Sequence, residues 1–239
     1  MSFLYHTLFF DPLYNLLVAL FKVLPWADAG IIVIILTVIV RLIMFPLSRK
    51  AVITQVKMAE IGPEIAMIKE RYKDQAEELA KQTLSLYREK GVNPFSGILV
   101  ILIQIPIIFA LYQIFLHFPV INTTLLYSFV SVPSIINTTF LGIMDITSKS
   151  IPLALFAAVS TYFQFQISTQ GQILSKDNSF GSNLARSMQT QMKYFFPVIV
   201  FFISYNISGV IALYWLTTNL FSIVQELFVR RRLTKVDSK

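Results

Sequence analysis

The sequence predicts an all-α polytopic membrane protein with five transmembrane helices, a cytoplasmic helical hairpin and an N-terminal interfacial helix. Three observations predict it. Of 239 residues, 55% are hydrophobic and only 14% charged, with a mean hydropathy of +0.66, whereas a soluble chain carries about 25% charge. Uncharged stretches recur, the longest running from Tyr194 to Gln225, and a bilayer-crossing helix needs ~20 mostly apolar residues. The 20 basic residues alternate along the chain with those stretches, which is the pattern of a membrane topology signal. Disorder is excluded because apolar content is high. With no cysteine, disulfides, thiolate nucleophiles, Cys-ligated metals and cysteine-linked lipid anchors are excluded. Two histidines, His6 and His117, argue against a metal centre.

Residues 1–28 hold an apolar stretch, Leu13 to Leu24, that is too short to span, carries Lys22 and is closed by Pro25. It is expected to lie along the outer interface as an amphipathic helix. A cleaved signal peptide is disfavoured, since no basic residues precede the apolar part. Residues 29–48 form the first span, apolar from Gly30 to Leu47 except for Arg41. Residues 49–94 change character, with nine basic and seven acidic residues, and apolar positions at helical spacing: Val52, Val56, Ile61, Ile65, Ile68, then Leu79, Leu84 and Tyr87. The Lys73-Asp74 break and the Gly91-Val92-Asn93-Pro94 stop predict two antiparallel helices, the first kinked by Pro63. As a bland alternative, the hairpin only connects two spans.

The second span is residues 95–117, the third 151–168, the fourth 193–205 and the fifth 208–227. The uncharged run from Tyr194 to Gln225 would make a helix ~48 Å long against a hydrocarbon core of ~30 Å, so it is split at Tyr205-Asn206-Ile207-Ser208-Gly209. Leu125 to Met144 is uncharged too, and the positive-inside rule decides against a sixth span there. With five spans, one side receives the nine basic residues of the hairpin, Lys176, Arg186 and Lys193 around the 169–192 loop, and Arg230, Arg231, Arg232, Lys235 and Lys239 of the 228–239 tail. The other side keeps Lys22 and Lys149. Residues 118–150 are therefore an outer segment, the N-terminus is outside and the C-terminus cytoplasmic.

Arg41 is a cation inside the first span, at a cost of ~2.5–3.5 kcal/mol on insertion scales. Snorkelling is the plain alternative, but Arg41 precedes Arg49 by eight residues, ~12 Å along a helix axis. No Asp or Glu lies within a span to pair with it, Asp145 and Glu226 being at boundaries. Counting inward places other polar residues at similar depth: Thr37 one turn away on the same face, Gln104 in the second span, Gln164 and Gln166 in the third, and Thr217, Thr218, Asn219 and Ser222 in the fifth. Singly, such residues glue helices together. Together with an unpaired arginine they predict a hydrated groove, open to the cytoplasm and shut outside by the drier outer halves of the spans.

At these residues the sequence resembles the YidC family of membrane protein insertases, which includes mitochondrial and chloroplast relatives. The likeness runs from Asp11 to the tail. Four signatures carry it: Thr37 to Arg41 followed by Phe45-Pro46-Leu47-Ser48; Gly91-Val92-Asn93-Pro94; Leu102 to Tyr112; and Leu213-Tyr214-Trp215 with Asn219 to Gln225. The resemblance implies a five-span core with N-out, C-in topology and a cytoplasm-facing groove whose arginine is Arg41. Its implied client-contact positions are Thr37, Gln164, Tyr214 and Trp215; Gln104 and Asn219 join them by depth. The chain differs from some relatives in lacking a large extracytoplasmic domain and a lipoprotein cysteine, and its basic tail is short.

The function expected is that of a membrane protein insertase and chaperone, not an enzyme, with no cofactor. Its expected partners are nascent membrane proteins and the lipid bilayer, with the ribosome and the Sec translocon as candidates, and no DNA. A channel or transporter with a cationic cavity is the alternative, opposed by the absence of an inverted repeat, an acidic relay or a Gly-rich filter. An intramembrane protease would need HExxH, paired intramembrane aspartates or a Ser/His dyad, none of which is present. A nucleic-acid role is weak because the basic residues follow topology and no aromatic platform accompanies them.

Overall fold

A computed structural model describes residues 2–93, 96–169 and 180–237. Most of it is helical. The N-terminal helix comprises α1 (Ser2–Tyr5), a π-helical turn (His6–Phe10) and α2 (Asp11–Val23); α3 (Ala29–Glu60), α4 (Gly62–Arg71), α5 (Ala76–Glu89) and α6 (Ser96–His117) follow. After a 3-10 turn and a two-residue strand pair, β1 (Thr139–Phe140) and β2 (Met144–Asp145), come α7 (Ile151–Ser168), α8 (Phe180–Ile207) and α9 (Gly209–Asp237). Pro94, the start of the second expected span at Phe95, Lys176 and Lys239 lie outside the described residues.

Among the described residues, four helices are long and apolar enough to cross a membrane: Phe3–Val23, Ala29–Glu60, Ile151–Ser168 and Gly209–Leu233. Three of them contain the expected first and third spans and all of the fifth but Ser208. The described apolar part of α6, Leu102–His117, is shorter, and α8 begins with polar turns before its apolar half. The N-terminal segment differs from expectation in length. Its apolar run was read as starting at Leu13, yet helix begins at Ser2 and runs to Val23 without a break, because the π turn adds one residue without ending the helix. The strand pair is a second departure from an all-helical chain.

α3 carries on past Ser48 into the charged region and stops only at Glu60, with α4 starting at Gly62 and Pro63 in its first turn, where a missing N–H costs nothing. Pro63 therefore separates two helices where a kink within one was expected. α5 returns antiparallel to α4, and Lys90 bonds Glu64 at 2.9 Å, which with the nearby Glu89 raises the lysine's pKa above its ordinary value. Gly91, at φ +61°, is the left-handed residue that ends the hairpin.

α9 is the central helix, packed along α3 on one side and α7 on the other, while α8 packs on α7 and α6 lies along α3. The α7 face is lined by Ala154, Ala157 and Ala158, all buried, and such small residues let helix backbones approach closely. The start of α3 and the start of α9 meet the same segment, the strand pair and the residues flanking it. Ala29 N–H donates to the Asn137 carbonyl (2.8 Å), Val210 N–H to that of Ile146 (2.9 Å) and Gly209 N–H to that of Ser148 (2.9 Å). Asp28 caps α3, accepting from Ile31 N–H at 3.0 Å and Leu141 N–H at 2.9 Å. Gly30 is required here: a Cβ on it would lie 2.2 Å from the Phe140 ring. α3 and α9 thus run parallel away from this cap.

Candidate functional site: a cavity between the helices

The parallel register of α3 and α9 fixes the geometry of the site. Gln225 Nε2 donates to Ser48 Oγ at 2.8 Å, so counting seven residues back toward the strand-pair cap on each helix brings Arg41 level with Thr218, and four more brings Thr37 level with Tyr214. Arg41 is twelve residues from Ala29, ~18 Å from the capped end of α3. Between α3, α6, α7, α8 and α9 lies a cavity of ≈ 680 Å³.

Its wall includes Arg41, Gln104, Gln164, Tyr214, Trp215 and Asn219, six of the seven sequence-predicted residues. Arg41 is half-buried and, among the described residues, has neither a carboxylate within ion-pair distance nor a hydrogen-bond acceptor. Gln104 Nε2 reaches the Tyr214 hydroxyl at 3.4 Å, and the Tyr214 ring leans on Phe115, centroids 6.2 Å apart. Among the described residues Gln104 Oε1 in this wall is buried with no hydrogen-bond partner, and the Thr218 hydroxyl has the Tyr214 hydroxyl beside it. Buried polar groups are nearly always satisfied, so a wall with an unsatisfied amide oxygen and an unpaired guanidinium suits water or a polar guest.

Thr37 does not join them. It is buried and its hydroxyl donates to the Val33 carbonyl at 2.6 Å, within its own helix. Of the other residues placed at this depth, Thr218 and Ser222 line the cavity, whereas Gln166 is exposed elsewhere and Thr217 bonds back to Leu213. Asn219 borders the cavity but spends its amide on α7, donating to Thr161 Oγ1 (2.7 Å) and Ser160 Oγ (3.0 Å).

The cavity continues toward the hairpin end through residues that sequence reasoning missed. Ser48, Gln55 and Ser168 line it there, with Gln225 and Glu226 from α9. Gln55 Nε2 donates to the Ser168 carbonyl. Arg230 bridges Glu226 (2.8 Å) and that same carbonyl (3.4 Å). The available signal was spacing: Arg41, Ser48 and Gln55 recur every seven residues, two turns of helix, and so form one polar stripe that outlasts the apolar run.

Among the described residues no group of three His, Cys, Asp or Glu could hold a metal. The family described as the 60Kd inner membrane protein matches residues 19–236. The chain belongs to the YidC family of membrane protein insertases. The membrane protein insertase YidC of Clostridium perfringens is 31% identical over 201 residues, covering 83% of this chain and 77% of the relative. That of Clostridium tetani is 28% identical over 207 residues, covering 87% and 84%. That of Wolinella succinogenes is 29% identical over 230 residues, which is 95% of this chain but 38% of the longer relative. As a YidC-family insertase the chain is a multi-pass protein of the cell membrane and not an enzyme.

Proposed function

We propose that the cavity is the groove through which this insertase receives its clients, nascent membrane proteins, from the cytoplasm. The observation that carries the proposal is Arg41, a cation in the cavity wall with no carboxylate within ion-pair distance among the described residues, the Glu226 carboxylate of the same wall being paired with Arg230. In a recess of low dielectric a cation attracts acidic or polar peptide far more strongly than in bulk water. The guanidinium draws in the polar part of a client, while Gln104, Gln164 and Thr218 offer hydrogen bonds that replace its water. Tyr214 and Trp215 supply an apolar wall with polar tips. The apolar part of the client leaves along the membrane-facing sides of α7 and α9, where Phe163, Leu220 and Val224 are exposed.

The topology that goes with this function has five spans, contained in α3, α6, α7, α8 and α9, with the hairpin and tail cytoplasmic and the strand pair outside. On that topology the stripe from Arg41 to Gln55 leads from the membrane interior to the cytoplasm, where the ribosome is met, and the Sec translocon is a neighbour in the same bilayer. The N-terminal helix lies along the outer interface although it is long enough to span. Tyr5 reaches Gln113 and Phe21 stacks on Phe118, so ~24 Å of this helix meets ~8 Å of the chain at the outer end of α6. A helix crossing the membrane beside α6 would follow it for several turns.

Photo-crosslinking tests this reading. A crosslinking residue at Gln104 or Trp215 should capture a ribosome-stalled client, and one at Leu116, exposed outside the cavity on α6, should not. Equal capture at all three positions would refute the groove assignment.

A further inference from the structure

The outer strand pair ends in a turn whose residues do not suit a turn facing water. Leu141 has φ 52° and Gly142 φ 70°. Left-handed backbone is common for glycine and asparagine but costly for a branched aliphatic residue, so a leucine there needs a reason outside local propensity. Its side chain is 60% exposed, that of Ile143 76% and that of Ile135, on the approach to the strands, 83%. Residues 118–150 contain only two charges, Asp145 and Lys149. Asp145 is turned toward Thr147, accepting from its N–H (2.9 Å) and its hydroxyl (2.7 Å).

The height of this turn is fixed by its anchors. Phe140 sits on Gly30, Leu141 N–H bonds the Asp28 carboxylate, and the Ile146 carbonyl accepts from Val210. The turn is therefore level with the first turns of α3 and α9. From Gly30 to Ser48 α3 rises ~27 Å, close to the ~30 Å of a hydrocarbon core, which puts the turn at the outer edge of that core. Its apolar surface continues into the exposed side of α7, which begins at Ile151.

We propose that the turn Leu141-Gly142-Ile143, with Ile135 beside it, dips into the outer leaflet of the bilayer, its partner being the boundary between lipid headgroups and acyl chains. The lipid replaces the protein core that these side chains lack, and it holds the cap over the starts of α3 and α9 from above. This rests on α3, α7 and α9 crossing the membrane, not on the handling of clients.

Single-tryptophan variants test it. In a background with Trp26 and Trp215, the two native tryptophans, replaced by phenylalanine, Ile143→Trp and Ile135→Trp are reconstituted as purified protein in phosphatidylcholine vesicles. Phe156→Trp on the exposed side of α7 and Met67→Trp on the hairpin are the references. Lipid brominated near the headgroup should quench Ile143→Trp and Ile135→Trp at least twofold, with a blue-shifted emission and little quenching by iodide, while Met67→Trp shows the reverse. If Ile143→Trp and Ile135→Trp follow Met67→Trp while Phe156→Trp is quenched by brominated lipid, the turn faces water or a protein partner and the proposal fails alone. If Phe156→Trp also escapes lipid quenching, the membrane crossing of α7 fails and the proposal with it.

Discussion

Replacing Asn219 by alanine separates two roles that its position allows, since it borders the cavity and also joins α9 to α7. Its amide donates to Thr161 Oγ1 at 2.7 Å and Ser160 Oγ at 3.0 Å, with the Ala157 carbonyl more distant at 3.4 Å. Two strong side-chain bonds between membrane helices contribute ~0.6 kcal/mol each on average and ~1.7 at most. The alanine variant therefore loses ~1–3 kcal/mol. The lower half of that range is favoured by what remains: the Ser160 and Thr161 hydroxyls already donate to the Ala157 carbonyl (2.8 and 2.7 Å), so neither is left without an acceptor. At 1.4 kcal/mol per tenfold, the unfolding equilibrium should shift by about 5- to about 140-fold. Reversible SDS unfolding in mixed micelles, followed by circular dichroism, measures it. Unfolding unchanged from wild type together with loss of client crosslinking would refute the helix-joining role and make Asn219 a client contact.

Gly30→Ala should destabilise the outer cap, because its Cβ would overlap the Phe140 ring at 2.2–2.9 Å; overpacking costs ~1–3 kcal/mol against a helix-propensity gain of at most ~1, and Phe140→Ala in the same chain should recover most of the loss in the same unfolding assay. The hydroxyl and amide of Thr147 hold the Asp145 carboxyl below its ordinary pKa of 3.8. A lowered folded value lends stability that is complete above that ordinary value and lost as pH falls through the lowered one, so the protection of residues 139–147 from hydrogen exchange, relative to the intrinsic rate at each pH, should stay flat from pH 7 to 5 and fall only below 4. Thr147→Val, which removes the hydroxyl bond, should move that fall toward higher pH.

The membrane class was legible because composition and charge segregation report the solvent of the folded chain directly, and the helical hairpin because Gly91 and the Lys73-Asp74 break punctuate it. Depth counting from helix ends brought Arg41, Gln104 and Gln164 to one cavity, since axial position in a helix depends only on residue number, whereas Tyr214 and Trp215 came from the family resemblance. Rotation about the axis was harder. Thr37 shares the i, i+4 face of Arg41, yet its short hydroxyl finds the Val33 carbonyl before it can reach the cavity. Asn219 has the right depth, and its amide is claimed by α7 through a tertiary contact that no single-helix pattern encodes. The cap over the starts of α3 and α9 was opaque for the same reason: Phe140 on Gly30 and Val210 on Ile146 are pairings 110 and 64 residues apart. The N-terminal helix was read as too short because Leu13 looked like its start, whereas the π turn carries helix through His6 to Phe10.

The central claim is that the unpaired Arg41 charge draws clients into the groove. The direct measurement is insertion of a client with an acidic translocated tail into proteoliposomes holding only this protein, comparing wild type with Arg41→Ala at equal incorporation and equal unfolding stability. Wild type should give a protease-protected tail and Arg41→Ala at least a tenfold loss, while a client whose tail is neutral loses less. Equal protection of the acidic tail in both would contradict it.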